Sequence, residues 1–175
     1  MIPDLPVDQV ARSLLGAHVR TELDGTPTEV MLTEVEAYDA EDPASHAFRG
    51  PRHSNQSMFQ ESGTLYVYRS YGVHWCANVV TGPAGRGEAV LLRAGTPIAG
   101  EALMRSRRGR EDHLCDGPGK LCQALGITGD LDGTSLSTGP ARLTLADEIP
   151  GKVIATPRIG ITKATERLWR FVLVQ

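Results

Sequence analysis

Within PVDQVARSLLG (residues 6–16), apolar Val7, Val10, Ala11, Leu14 and Leu15 fall on one side of a helix, and Gly16 is its stop. AHVRTEL (17–23) and TEVMLTEVEAY (28–38) predict two strands about the turn signal DGTP (24–27). Over residues 39–62 no period is sustained and turn formers abound. A long loop is expected there, of the kind that in a compact domain is functional or mobile. Period two is clear in GTLYVYRSYGVHWCANVV (63–80), which predicts a β-hairpin. Leu65 and Val67 alternate with Tyr66 and Tyr68; Val73, Trp75, Ala77 and Val79 alternate with His74, Cys76 and Asn78. With Ser70, Tyr71 and Gly72 as the tip, Tyr68 falls opposite His74 and Tyr66 opposite Cys76. One face then carries Tyr66, Tyr68, His74, Cys76 and Asn78, and Tyr71 stands at the tip. EAVLLRAGTP (88–97) is a further strand, GEALMRSRRGR (100–110) a helix with a basic end, and GPGKLCQALGI (117–127) a short helix opening on two glycines. Two or three strands finish the chain, ending LWRFVLVQ. Strands outnumber helices and no βαβ alternation appears. The expected fold class is therefore α+β: one domain over residues 1–175, with a curved, mostly antiparallel sheet surrounded by short helices.

Composition narrows the class without changing the architecture. With 41% hydrophobic and 22% charged residues in 175, the chain reads as an ordinary globular domain. No apolar run approaches the roughly 18–20 residues that span a bilayer. The start, MIPDLPVDQVARS, lacks a basic and then apolar leader, so a cytoplasmic protein is expected. Cys76, Cys115 and Cys122 are odd in number and widely spaced, which predicts buried free thiols rather than disulfides or a zinc site. The net charge of −3 hides an asymmetry. Residues 1–48 hold two basic and ten acidic residues; residues 49–110 hold nine and three; residues 111–175 hold seven and eight. All nine basic residues of the middle stretch are arginine, whose planar fork suits phosphate. A basic face can thus sit on an acidic protein.

Several residues carry candidate chemistry. Alternation places Glu34 and Glu36 on one face of their strand. A carboxylate at a strand end, followed by Tyr38 and a loop, can look into a pocket and act as a general base; the plainer alternative is a salt-bridged strand glutamate. Arg93 is a single charge in an apolar strand and needs a carboxylate partner, for which Glu36 is the candidate. His46 lies in the loop; with Glu34 and Glu36 it makes only a weak metal signal, and no metal or cofactor is expected. DGPGKLCQ departs from a P-loop, with Leu114 where glycine is needed and Leu121 where a hydroxyl is needed. A glycine-flanked helix start remains, where Lys120 could hold one phosphate. Arg52, from the arginine set, is a second candidate phosphate contact. Lysine is scarce, leaving few candidates for Schiff-base chemistry.

The tyrosines are unevenly spent. Only 5% of residues are aromatic, yet three of four tyrosines fall at 66, 68 and 71. An exposed tyrosine at a hairpin tip is either a solvated turn residue or a wedge that enters a base stack as a nucleotide is extruded. Tyr38 and Tyr68 would then sandwich the extruded base.

Taken together, ARSLLG, TEVEAY, HAFRG, MF…GTLYVY…YGVHWCANVV, AVLLRA, GPGKLCQALGI and RIGI…WRF resemble the alkyladenine (3-methyladenine, methylpurine) DNA glycosylase family, in family order from about residue 11 to 171. The resemblance implies a monofunctional enzyme that flips alkylated or deaminated purines from duplex DNA and hydrolyses the N-glycosidic bond, leaving an abasic site. By the same resemblance Glu36 activates water and Arg93 orients it. Tyr38, His46 and Tyr68 stack on the base, Tyr71 intercalates, and Asn78 forms a pocket floor that rejects guanine's 2-amino group. The implied partner is double-stranded DNA containing damaged purines, bound by a monomer through the protruding hairpin, with no membrane and no cofactor. Arg69-Ser70 stand where the family typically has two apolar residues, and Leu168 where it usually has proline. The rival readings are a catalytically silent DNA-damage-binding module, a small-molecule hydrolase such as one acting on nucleosides, and a purely structural interaction domain, which would leave Arg93 in its apolar strand unexplained.

Overall fold

The computed structural model describes residues 1–23 and 25–174. In chain order the elements are α1 Val7–Ser13, β1 His18–Leu23, β2 Thr26–Tyr38, β3 Leu65–Ser70, β4 His74–Thr81, β5 Glu88–Ala99, α2 Glu101–Arg108, α3 Pro118–Leu125, β6 Ala141–Thr144, β7 Lys152–Thr156 and β8 Arg170–Val174. The strands form one curled antiparallel sheet in the order β3-β4-β5-β2-β1-β6. The sheet branches at β2. Its N-terminal half pairs with β1, while Glu34, Val35 and Glu36 pair with β8, which carries β7. The fold is α+β, as the alternation without βαβ units predicts. No helix among the described residues is long and apolar enough to cross a membrane.

Period two divides the two faces of the sheet. Val35, Ala37, Leu65, Val67, Ala77, Val79, Val90 and Leu92 point to one side. There they meet Val10 and Leu14 of the α1 region, Met104 of α2, and Leu121, Cys122 and Leu125 of α3, forming the main core. Each fully buried leucine contributes about 1.5–3 kcal/mol through area removed from water. The three cysteines are free and buried. The opposite face carries a smaller cluster of Ala47, Met58, Tyr66, Val80 and Ala89, with Tyr38, Phe59 and Tyr68 at its margin.

Two elements differ from expectation. The hairpin pairs Tyr66 with Asn78, Tyr68 with Cys76 and Ser70 with His74, a slip of two residues from the expected register. The cause is the turn. Val73 N–H bonds the Ser70 carbonyl at 3.0 Å across Tyr71 (φ 51°) and Gly72 (φ 69°), the pair of left-handed residues that a type I′ hairpin requires. A slip of two leaves every side chain on its expected face. The second difference is a 3-10 helix, His53–Phe59, inside the stretch expected to be a loop. Its supports are distant or irregular. The Asn55 amide donates to the carbonyls of His46 (2.9 Å) and Gly50 (3.3 Å), and Ser57 Oγ donates to Asp132 (2.6 Å). The expected DGTP turn includes Asp24, and the terminal strand was expected to run into Gln175; both residues lie outside the described residues.

Candidate active site

The site is one lateral row of the sheet. Crossing β3, β4, β5, β2, β8 and β7, the directly paired residues are Tyr66, Asn78, Leu91, Glu36, Arg170 and Thr156. Opposed residues share a face, so the row brings residues from distant segments to one surface. Above it lies a cavity of about 530 Å³. Glu36, Tyr38, His46, Tyr68, Tyr71, Asn78 and Arg93, all singled out in the sequence, line this one cavity. Arg52 and Lys120 do not line it: Arg52 is exposed beside the 3-10 helix, and Lys120 Nζ donates to Asp116 at 2.8 Å.

Glu36 is fully buried on the cavity wall. Its Oε1 accepts the Ile159 N–H (2.8 Å) and faces Arg93 Nη1 (3.4 Å); its Oε2 accepts the Tyr38 hydroxyl (2.8 Å). A carboxylate has about four acceptor sites. Two hydrogen bonds and the Arg93 ion-pair contact occupy Oε1 and one side of Oε2, so an acceptor site on Oε2 stays open. Arg93 reaches Glu36 as expected, but its nearer partner is Glu34, at 2.7 Å through Nε. The reason is a β-bulge. Glu34 pairs with Ala94 and Val35 with Leu92, so Arg93 is the extra residue and lies between the two glutamates instead of opposite either. Glu34 and Glu36 are thus occupied by arginine. His46, the third member of the weak metal set, hydrogen-bonds Tyr66 instead.

The aromatic walls hold one another. His46 Nδ1 lies 2.9 Å from the Tyr66 hydroxyl, and the His46 and Tyr68 rings meet edge-on at 4.4 Å. Tyr66 and Tyr68 stack at 5.7 Å. Burial pushes Tyr38, Tyr66 and Tyr68 well above the usual phenol range, with the Glu36 carboxylate adding to the effect on Tyr38. Burial pushes His46 down, favouring the neutral imidazole at the cavity wall. The Asn78 amide donates to the Tyr66 carbonyl at 3.1 Å, which orients it between the hairpin and Leu91.

At the rim, Tyr71 is 92% exposed and its neighbour Val73 62%. A tyrosine with φ of 51° is strained, since the left-handed region costs an L-residue about 1–2 kcal/mol. The hairpin beneath is stiffened by Trp75. Arg69 lies 5.3 Å over its ring, and Gly129 packs so close that a Cβ there would fall 2.7 Å from it. Arg69 and Ser70, the departures noted above, therefore stack on Trp75 and pair with His74 without disturbing the hairpin.

The methylpurine-DNA glycosylase family model matches residues 2–175. The chain belongs to that family. Relatives provisionally named 3-methyladenine DNA glycosylases include one from Nitrosospira multiformis, 50% identical over 167 residues, covering 94% of this chain and 83% of its own length. Another from Methanoculleus marisnigri is 48% identical over 170 residues, covering 94% and 88%. As a methylpurine-DNA glycosylase the protein is an enzyme acting on N-glycosyl bonds, and DNA is its substrate.

Sequence reasoning placed Tyr66 on this face of the hairpin but gave it no role, and it passed over Arg158, Asp42 and Ile159 of the candidate site. Tyr66 supplies the partner of His46 and the stacking base for Tyr68. Arg158 lies buried under Tyr38, 4.6 Å from its ring, and is ion-paired with buried Asp42. Ile159 supplies the backbone donor to Glu36 and, with Gly160 and Ile161, a lip of the cavity. The available signals were an arginine directly before an apolar dipeptide in RIGI and an aspartate in EDP; neither has a local partner.

Proposed function

We propose that this protein flips alkylated or deaminated purines out of duplex DNA and hydrolyses their glycosidic bond with water activated by Glu36. The observation that carries the reading is the open acceptor site on Oε2 of buried Glu36, inside an aromatic-walled cavity whose rim bears the strained, exposed Tyr71. Tyr71 enters the duplex as a wedge and fills the gap left by the extruded nucleotide. Tyr38, His46 and Tyr68 receive the base. Methylation at N3 or N7 gives the purine a positive charge, which weakens the glycosidic bond and favours contact with aromatic faces. Burial disfavours a charged His46, which would repel the cationic base. As the bond to nitrogen breaks, the sugar carbon gains oxocarbenium character, which the nearby carboxylate stabilises. Water held at the open site of Glu36 adds to that carbon and its proton passes to Glu36. The products are an abasic site and a free base: a methylated cation leaves as the neutral base, whereas a deaminated purine leaves as an anion and takes up a proton equivalent to the one released from water. Asn78, fixed on the floor, discriminates against guanine's 2-amino group. Arg52 and Lys120, outside the cavity, contact phosphates along the hairpin side.

Incubation with methylated duplex DNA tests the reading: free methylated purine and alkali-labile abasic sites are expected together. Tight binding of damaged duplex without release would instead establish a silent damage-binding module. Release from nucleosides, with no salt-dependent affinity for duplex, would establish a nucleoside hydrolase.

Tyr71→Gly separates the wedge from the fold. Glycine accepts φ of 51° without strain, so the melting temperature is expected to hold or rise. Capture of the damaged nucleotide is expected to weaken by about 1–3 kcal/mol, the worth of one stacking contact. Unchanged capture in a base-fluorescence flipping assay would show that the tip is not a wedge.

A further inference from the structure

Glu34 has no role in the mechanism above, yet it is the better partner of Arg93. Its Oε1 accepts Arg93 Nε and Arg170 Nε, both at 2.7 Å. Arg170 is itself tied to Thr156 Oγ1 at 3.1 Å, on the neighbouring strand β7. The result is a chain of contacts, Thr156–Arg170–Glu34–Arg93–Glu36, in which two guanidinium and two carboxylate groups alternate. Burial alone would raise the Glu34 carboxyl, but hydrogen bonds and charge from Arg170 and Arg93 outweigh it and hold it below the usual range.

The geometry of Arg93 shows what this chain does. With Nε committed to Glu34, the guanidinium offers Glu36 only one nitrogen, at 3.4 Å. A free arginine pairs with a carboxylate through two parallel hydrogen bonds. Such a fork on Glu36 would fill the Oε2 site that Tyr38 leaves open. We infer that Glu34 is a positioning residue that turns Arg93 away from two-point pairing with Glu36, and so keeps the water site of Glu36 open. This inference rests on the mechanism proposed above.

The test is single-turnover base release beside equilibrium binding of damaged duplex, with thermal melting as a control. Glu34→Gln removes the charge that holds Arg93 while keeping an acceptor of the same shape. Release is expected to slow by about a hundredfold, the effect of a small misplacement at a reacting centre, with affinity changed less than about twofold. Because Glu34 acts through Arg93, adding Glu34→Gln to Arg93→Ala should slow release no further. Wild-type release by Glu34→Gln, an equal slowing in both backgrounds, or a loss of affinity matching the loss of rate would overturn the inference. Should the glutamine variant melt too low, Glu34→Asp is judged by the same double-variant comparison. Glu36→Gln runs alongside: if it is active the mechanism itself fails, whereas an inactive Glu36→Gln with a fully active Glu34→Gln removes only the role of Glu34.

Discussion

Glu36→Gln is expected to lower base release by about a thousandfold, within the range that a positioned general base contributes, while damaged-duplex affinity is retained. The surroundings of Glu36 make this substitution clean. The glutamine oxygen can keep the Ile159 N–H and the Arg93 contact on one side, and its amide can donate to the Tyr38 hydroxyl on the other. Arg93 stays anchored by Glu34, so no buried guanidinium is left without a carboxylate. The variant therefore keeps shape and hydrogen bonding and loses the ability to take a proton from water. Single-turnover release from methylated duplex, with affinity measured in parallel, checks it. Release within about tenfold of wild type would remove Glu36 from proton transfer.

How much of this site the sequence discloses depends on the range of the interaction. Alternation alone placed Tyr66, Tyr68, Cys76 and Asn78 on one hairpin face, and Glu34 with Glu36 on one strand face, because both are period-two facts. The same period cannot detect a slip of two, and the register turned on a tyrosine in a left-handed conformation that few non-glycine residues adopt. The nearer partner of Arg93 was hidden for a related reason: a bulge inserts one residue without changing the apolar pattern on either side. The 3-10 helix at 53–59 is held by an asparagine reaching back and an aspartate 75 residues ahead of Ser57, and no local pattern encodes it. Charge pattern picked out the arginine-rich middle stretch. The arginine most deeply built into the site, Arg158, lies outside that stretch.

Asp42→Ala is expected to destabilise the fold by about 3–5 kcal/mol, because it strands the Arg158 guanidinium in a fully buried position. For a chain of this size that lowers the melting temperature by roughly 10 °C or more. Arg158→Met should cost a similar amount by stranding Asp42. Combining Arg158→Met with Asp42→Leu removes both charges, so the double variant should be more stable than either single one. Additive losses in denaturant unfolding would show that the pair is not coupled. Activity should behave differently. Arg158 also donates to the Ala37 carbonyl (3.0 Å) and the Ala164 carbonyl (3.3 Å), and it backs the rings of Tyr38 and Trp169 at 4.6 and 5.7 Å. It immediately precedes Ile159, whose N–H is a donor to Glu36. Through these contacts one residue joins the loop carrying Asp42, the end of β2 and the lip of the cavity. The double variant is therefore expected to regain stability but not base release, and recovery of both would reduce the buried pair to a fold element with no part in shaping the site.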